Sequence, residues 1–140
     1  MNSTIKWVDG AMFVGVTGSG HALVVDGPAE AGGQNFGPRP MELVLTGLGS
    51  CTAFDVVDIL KKGRHPISAC EVELKAERAD EVPKVFTRIH IHFKISGPDL
   101  KPAAVERAVN LSAEKYCSAT IMLQQTVAIT HDFEIVDTSA

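Results

Sequence analysis

The spacing of apolar and polar positions changes character several times along the chain, and each change marks an element. Residues 5–27, IKWVDGAMFVGVTGSGHALVVDG, are short β-prone runs punctuated by Asp9-Gly10, Gly18-Ser19-Gly20 and Asp26-Gly27. Turn residues between such runs predict a meander of three antiparallel strands. Residues 28–39, PAEAGGQNFGPR, show no periodicity and are rich in Gly and Pro. A loop of about a dozen residues is long for a compact domain and is either functional or mobile.

From Pro40 the pattern becomes helical. PMELVLTGLGSCTAFDVVDILKKG opens with Pro at the first helical position and closes with Lys61-Lys62 before Gly63, which predicts a helix of about 22 residues. Its apolar positions run nearly all the way round, so it should be covered on most sides. Residues 66–80 and 85–95 then alternate with period two. Cys70, Val72, Leu74 and Ile89, Ile91, Phe93, Ile95 oppose Glu71, Glu73, Lys75 and Arg88, His90, His92, Lys94. That is a long hairpin with one wet face. A second helix follows Ser96-Gly97-Pro98, with an apolar stripe at Leu100, Val105, Ala108, Val109 and Ala113 leading to Tyr116 and Cys117. A short helical piece, SATIMLQQ, and a strand, TVAITHDFEIV, complete the order βββ-α-ββ-αα-β, an α+β plan in one domain, 1–140.

Composition narrows the classes of function. With 140 residues, 45% of them apolar and 21% charged, the chain can bury a real core, and the apolar fraction also suggests a subunit interface. The net charge of −4 and pI of about 5.7, with Lys and Arg scattered, argue against nucleic acid and against a membrane surface. The N-terminus lacks the pattern of a signal peptide, and no uninterrupted apolar run approaches ~18 residues. A cytoplasmic protein is expected. Three cysteines, Cys51, Cys70 and Cys117, are too few and too separated for a disulfide framework, and no Cys/His spacing suggests a metal site.

Cys51 lies in TGLGSCTA, beside two glycines inside the predicted helix. Glycine there costs roughly 0.5–1 kcal/mol against alanine. A helical side chain leans over the preceding turn, so Gly47 leaves space beside the sulfur. Close helix packing explains the same small residues, and packing and a functional thiol both remain open. A reactive thiol must ionise, and lowering its pKa by about two units needs ~2.7 kcal/mol. Asp55, one turn on, offers no such help. Cys117, at a helix boundary beside an aromatic residue, should be partly accessible. Cys70 faces inward and reads as structural. His90 and His92 share the polar face, with no third metal ligand marked.

These residues resemble a known family. PMELVLTGLGSCTAFDVVDIL, the hairpin ending in IHIHFKISG, and AVERAVNLSAEKYCS are similar to the OsmC/Ohr family, most of all to its YhfA-type branch, over essentially the whole chain. The resemblance implies an OsmC-like fold, antiparallel sheets wrapped around long central helices in an intertwined homodimer. It also implies two cysteines about 66 residues apart, one in each long helix. Cys51 would attack an organic or inorganic peroxide and become a sulfenic acid, Cys117 would resolve it as a disulfide, and a dithiol reductant would restore the thiols, with no cofactor. The pattern departs from the peroxidase branches at the activating pair. There the acid directly follows the helix-opening proline and an arginine comes from the N-terminal strands. Here Met41 follows Pro40 and Glu42 is one residue late, about 100° of helix rotation, and Arg39 is the nearest replacement cation. The alternatives are a non-peroxidase dimer that binds a small apolar ligand or senses redox state slowly, and a thiol-based transferase or hydrolase using His21 or His65.

Overall fold

The computed structural model describes residues 1–140, which form two compact units, Met1–Thr46 and Gly47–Ala140. In the first, β1 (Ser3–Asp9), β2 (Met12–Thr17) and β3 (Ala22–Asp26) make an antiparallel sheet in sequence order. The turns fall where the sequence puts glycine, and Gly10 and Gly20 adopt φ of 54° and 89°, a region L side chains rarely enter. Every residue of β1 is exposed. The buried hydrophobic residues of the chain all fall between Leu48 and Val127, so the meander contributes none of them.

The Gly/Pro segment after β3 is fastened rather than loose. Asp26, 1% exposed, takes the backbone N–H of Gly27 on Oδ1 at 2.8 Å and those of Gln34 and Phe36 on Oδ2 at 2.9 and 3.2 Å. The Gln34 bond first, joined by those of Phe36 and Gly27 and the Arg39 charge, holds this carboxyl below its ordinary range against the opposing effect of burial.

Helix α1 (Pro40–Lys62) starts in the first unit and runs through the second. It is long and apolar enough to cross a membrane by length and composition. The chain itself buries only one stripe of it, Leu48, Gly49, Thr52, Val56 and Leu60, at the i, i+4 spacing of a single face. Phe54 remains 71% exposed. The coverage on most sides expected from its composition is therefore not supplied within this chain.

The second sheet has the order β4-β5-β6, from β4 (Ala69–Arg78), β5 (Phe86–Gly97) and β6 (Ala128–Asp137). β5 is central, and its inward set Ile89, Ile91, Phe93 and Ile95 is buried. β4 and β5 pair antiparallel as the alternation required. β6 pairs parallel to β5, His90 opposite Thr130 and His92 opposite Asp132, which corrects the expectation of purely antiparallel sheets. The physical reason is the long helical connection between them, which returns the chain to the end of the sheet where β5 began.

That connection holds α2 (Pro102–Leu111), a π-helical turn (Ser112–Tyr116) and α3 (Ser118–Leu123). The expected second helix is thus broken before Cys117. Val105, Ala108 and Val109 are buried, as the stripe predicts, but the next inward position is Ser112 rather than Ala113. A π turn inserts one residue into the helical register. The inward place one turn further on then falls to Cys117, while Tyr116 is 50% exposed.

Candidate functional site

Cys51 and Cys117 are brought together inside the second unit, both as free thiols, close enough for the Cys51 sulfur to act on the ionisation of Cys117. Cys51 is half-buried, in the middle of α1. Its two neighbouring glycines have separate roles. A Cβ on Gly49 would stand 2.6 Å from Leu74 Cδ1, so Gly49 lets α1 sit close on β4. A Cβ on Gly47 would meet nothing within 4 Å. Packing accounts for the first glycine and leaves the second as open space on the N-terminal side of the cysteine.

Cys117 is 0% exposed, which corrects the expectation of partial access; the π turn rotates it inward. Its backbone is extended, with φ −75° and ψ 103°, because it is the N-cap of α3. Its sulfur accepts the Thr120 N–H at 3.4 Å, the place a capping oxygen usually fills. Thr120 Oγ1 is buried without a hydrogen-bond partner and lies beside the Cys117 sulfur. Burial pushes the Cys117 thiol above its ordinary range, the Thr120 hydroxyl and amide pull it down, and the neighbouring Cys51 pushes it up again.

A buried polar chain ties the two cysteine segments together. Thr52 Oγ1 and Ser112 Oγ are 2.8 Å apart, and Ser112 Oγ donates to Asp55 Oδ2 at 3.0 Å. One proton per hydroxyl fixes the direction, Thr52 to Ser112 to Asp55. Ser112 also accepts the Cys117 backbone N–H on its carbonyl at 2.9 Å, closing the π turn.

Arg39 and Glu42 are brought to each other at the opening of α1. The Arg39 backbone N–H donates to Glu42 Oε1 at 3.1 Å, half of a capping box. The Arg39 guanidinium donates to the Gly37 carbonyl at 2.9 Å and to Asn35 Oδ1 at 3.2 Å. Both side chains thus have local structural partners in the first unit. Cys70 lies on the inner side of β4, and burial pushes its thiol up, which suits the structural role expected for it.

On the outer face of the second sheet, β6 supplies what the sequence left unmarked beside the two histidines. Asp132 Oδ1 is 2.7 Å from His92 Nδ1 and 3.0 Å from His90 Nε2. The Asp132 bond chiefly raises the His92 pKa, and His92 in turn chiefly lowers that of Asp132. The cluster does not have the arrangement of a metal site. A cleft of about 480 Å³ opens beside Asp55, lined by Asp58, Ile59, Lys62, Arg107 and Tyr116 among others.

The sequence model of a family described as OsmC-like protein matches residues 32–132. The chain belongs to the OsmC-like family. Protein YhfA of Escherichia coli K12 is 51% identical to it over 136 residues, 97% of this chain and 98% of that protein. Among solved structures, a hypothetical protein from Aquifex aeolicus superposes with a TM-score of 0.87 at 29% identity, covering 99% and 97% of the two chains. The organic hydroperoxide resistance protein OhrB of Bacillus subtilis shares the fold, with a TM-score of 0.62 at 18% identity over 96% and 98%. The OsmC-like fold and its α+β order are therefore as the sequence suggested.

Within that fold, Ser112 and Thr120 went unread in the sequence. Each had a signal. Ser112 is a polar residue three after Val109 on an apolar stripe, and Thr120 stands three after Cys117, the spacing of an N-cap partner.

Proposed function

We propose that this OsmC-like protein is a thiol-dependent peroxide reductase acting in oxidative-stress defence, in the reducing cytoplasm. The observation that carries the reading is the meeting of two reduced sulfurs, one half-buried in α1 and one wholly buried at the α3 cap. The Cys51 thiolate attacks one peroxide oxygen. The O–O bond breaks, the other oxygen leaves and takes up a proton as alcohol or water, and Cys51 becomes a sulfenic acid. The Cys117 sulfur then attacks the Cys51 sulfur and displaces hydroxide, which leaves as water with the Cys117 proton. Two thiols have lost two electrons and the peroxide has gained them. An external dithiol returns both electrons by exchange.

The electrostatics order these steps. Burial chiefly raises the pKa of Cys117, and an ionised Cys51 beside it raises it further. A neutral sulfenic acid no longer repels the Cys117 anion, so oxidation of the first sulfur releases the second for attack. Ionisation of Cys51 is favoured by a nearby cation. Arg39, which the sequence offered for that role, is held by the Gly37 carbonyl and Asn35 at the opening of α1, and about 16 Å of helix from Pro40 to Cys51 keeps it from the sulfur of its own chain.

The uncovered apolar surface supports a homodimer. Ile5 and Trp7 on β1 are 60% and 67% exposed, and Phe54 on α1 is 71% exposed. Scattered apolar exposure is ordinary, but a β-meander with no buried hydrophobic residue of its own needs another surface to cover it. In a two-fold dimer a second copy of this chain would present the same patch. The alternative of a dimer holding a small apolar ligand draws no support from the cleft beside Asp55, whose charged lining suits a polar occupant.

Stopped-flow reaction with cumene hydroperoxide tests the reading. Wild type and Cys117→Ser should both consume one equivalent rapidly, Cys51→Ser none, and only wild type should end as an intramolecular disulfide. A second-order rate no greater than that of free cysteine would overturn it.

A further inference from the structure

The chemistry above needs two sulfurs on distant segments to stay aligned through a change of oxidation state. A polar link between those segments passes through Ser112. Its hydroxyl accepts from Thr52 at 2.8 Å, the residue after Cys51, and donates at 3.0 Å to Asp55, four residues after Cys51 on the same face of α1. Its carbonyl accepts the Cys117 N–H at 2.9 Å. Ser112 and Thr52 are 0% and 2% exposed, so water does not compete for the bond between them. One residue thus grips α1 at two positions within the turn after its cysteine with its side chain, and grips the other cysteine with its backbone. It does so from the first position of the π turn, the irregularity that turns Cys117 inward.

We propose that Ser112 is the positioning residue for disulfide closure, holding Cys117 against Cys51 through its hydroxyl bonds to Thr52 and Asp55 and its carbonyl bond to the Cys117 amide. The proposal rests on the peroxide-reductase reading for its physiological setting, but not for its geometry. Attack on a sulfenic sulfur is sensitive to alignment, and a displacement of about 1 Å can slow a reaction on the order of 10²-fold. The first step uses Cys51 and peroxide alone. The two steps should therefore part company when the link is cut.

The test follows both steps in Ser112→Ala, Thr52→Val and Asp55→Asn by rapid quench and mass spectrometry, with dimedone trapping the sulfenic acid and the disulfide counted separately. Sulfenic acid should form on Cys51 within about twofold of the wild-type rate, while closure slows roughly 10–100-fold in Ser112→Ala and by less in the other two. Trapped sulfenic acid should accumulate accordingly. If Ser112→Ala unfolds, Thr52→Val and Asp55→Asn decide the matter, since both keep Ser112 in place. Closure at the wild-type rate in the folded variants would overturn the proposal, as would equal slowing of both steps. Closure driven by diamide, which accepts the two electrons and two protons of a dithiol without any peroxide, separates the two ideas. Should wild type form no sulfenic acid, the peroxide reading falls, and slow diamide closure in Ser112→Ala still supports the positioning role while unchanged closure overturns it.

Discussion

Thr52 and Ser112, sixty positions apart in the chain, meet hydroxyl to hydroxyl at 2.8 Å in a buried site. Removing either hydroxyl leaves its partner buried without that bond, an effect of about 1–3 kcal/mol. Thr52→Val and Ser112→Ala should each lower unfolding stability by that order. The double variant should lose less than the two losses added, with a coupling of roughly 0.5–3 kcal/mol. Urea denaturation of the four forms measures the cycle. Strict additivity would mean that the contact carries no energy.

Thr120 acts on the Cys117 sulfur in the direction opposite to burial. Thr120→Val removes the hydroxyl and keeps the shape, so the Cys117 pKa should rise further. The closing step, which needs the thiolate, should then shift its pH dependence to more alkaline values, while the pH dependence of Cys51 oxidation stays where it was. Thr120→Ser should restore the wild-type profile. Rapid-quench rates across neutral to alkaline pH would show whether the two profiles separate.

Gly47 stands at an ordinary helical position with open space where a Cβ would go. Gly47→Ala should therefore stabilise the folded chain by roughly 0.5–1 kcal/mol through helix propensity. If the space admits substrate to Cys51, the same methyl group should slow the reaction with a bulky hydroperoxide more than with hydrogen peroxide. Thermal unfolding and the ratio of the two stopped-flow rates report the two effects independently.

The Asp26 carboxylate is held below its ordinary range, first by the Gln34 amide. A lowered folded-state pKa gives stability that is fully present above the unfolded value of about 3.9 and is lost as pH falls through the folded one. Asp26→Asn cannot accept all three N–H groups, so it should melt lower at neutral pH. Its stability should also fall less between neutral pH and the acid side of about pH 3.9. Thermal melts over that range would detect the flatter profile.

The elements of this fold were legible where their pattern was local. Pro40 and Lys61-Lys62 bracket α1, and the period-two run through β5 predicts its buried set, because capping and alternation depend on near neighbours. The direction of β6 was not legible, since nothing within TVAITHDFEIV records which way its partner runs. The sulfur pair was readable from the family resemblance. The inward turn of Cys117 was not, because it depends on a one-residue slip of register in the π turn that no apolar spacing announces. Ser112 was hidden for a related reason. On a stripe ending Val105, Ala108, Val109, a serine reads as an interruption until its partners arrive from α1, sixty positions away.

The parallel run of β5 and β6 has a mechanical consequence. Residues 98–127 form one crossover strung between two neighbouring strands of a sheet, and Ser112, Cys117 and Thr120 all ride on it. Each end of the crossover is anchored by a ladder, but the anchors differ in strength of enclosure: β5 is paired on both sides, whereas β6 is an outer strand paired on one. Tension applied at the C-terminus would peel β6 away rung by rung and slacken the crossover while the β4–β5 hairpin held. The segment that carries Ser112, Cys117 and Thr120 is thus held less firmly at its β6 end than at its β5 end.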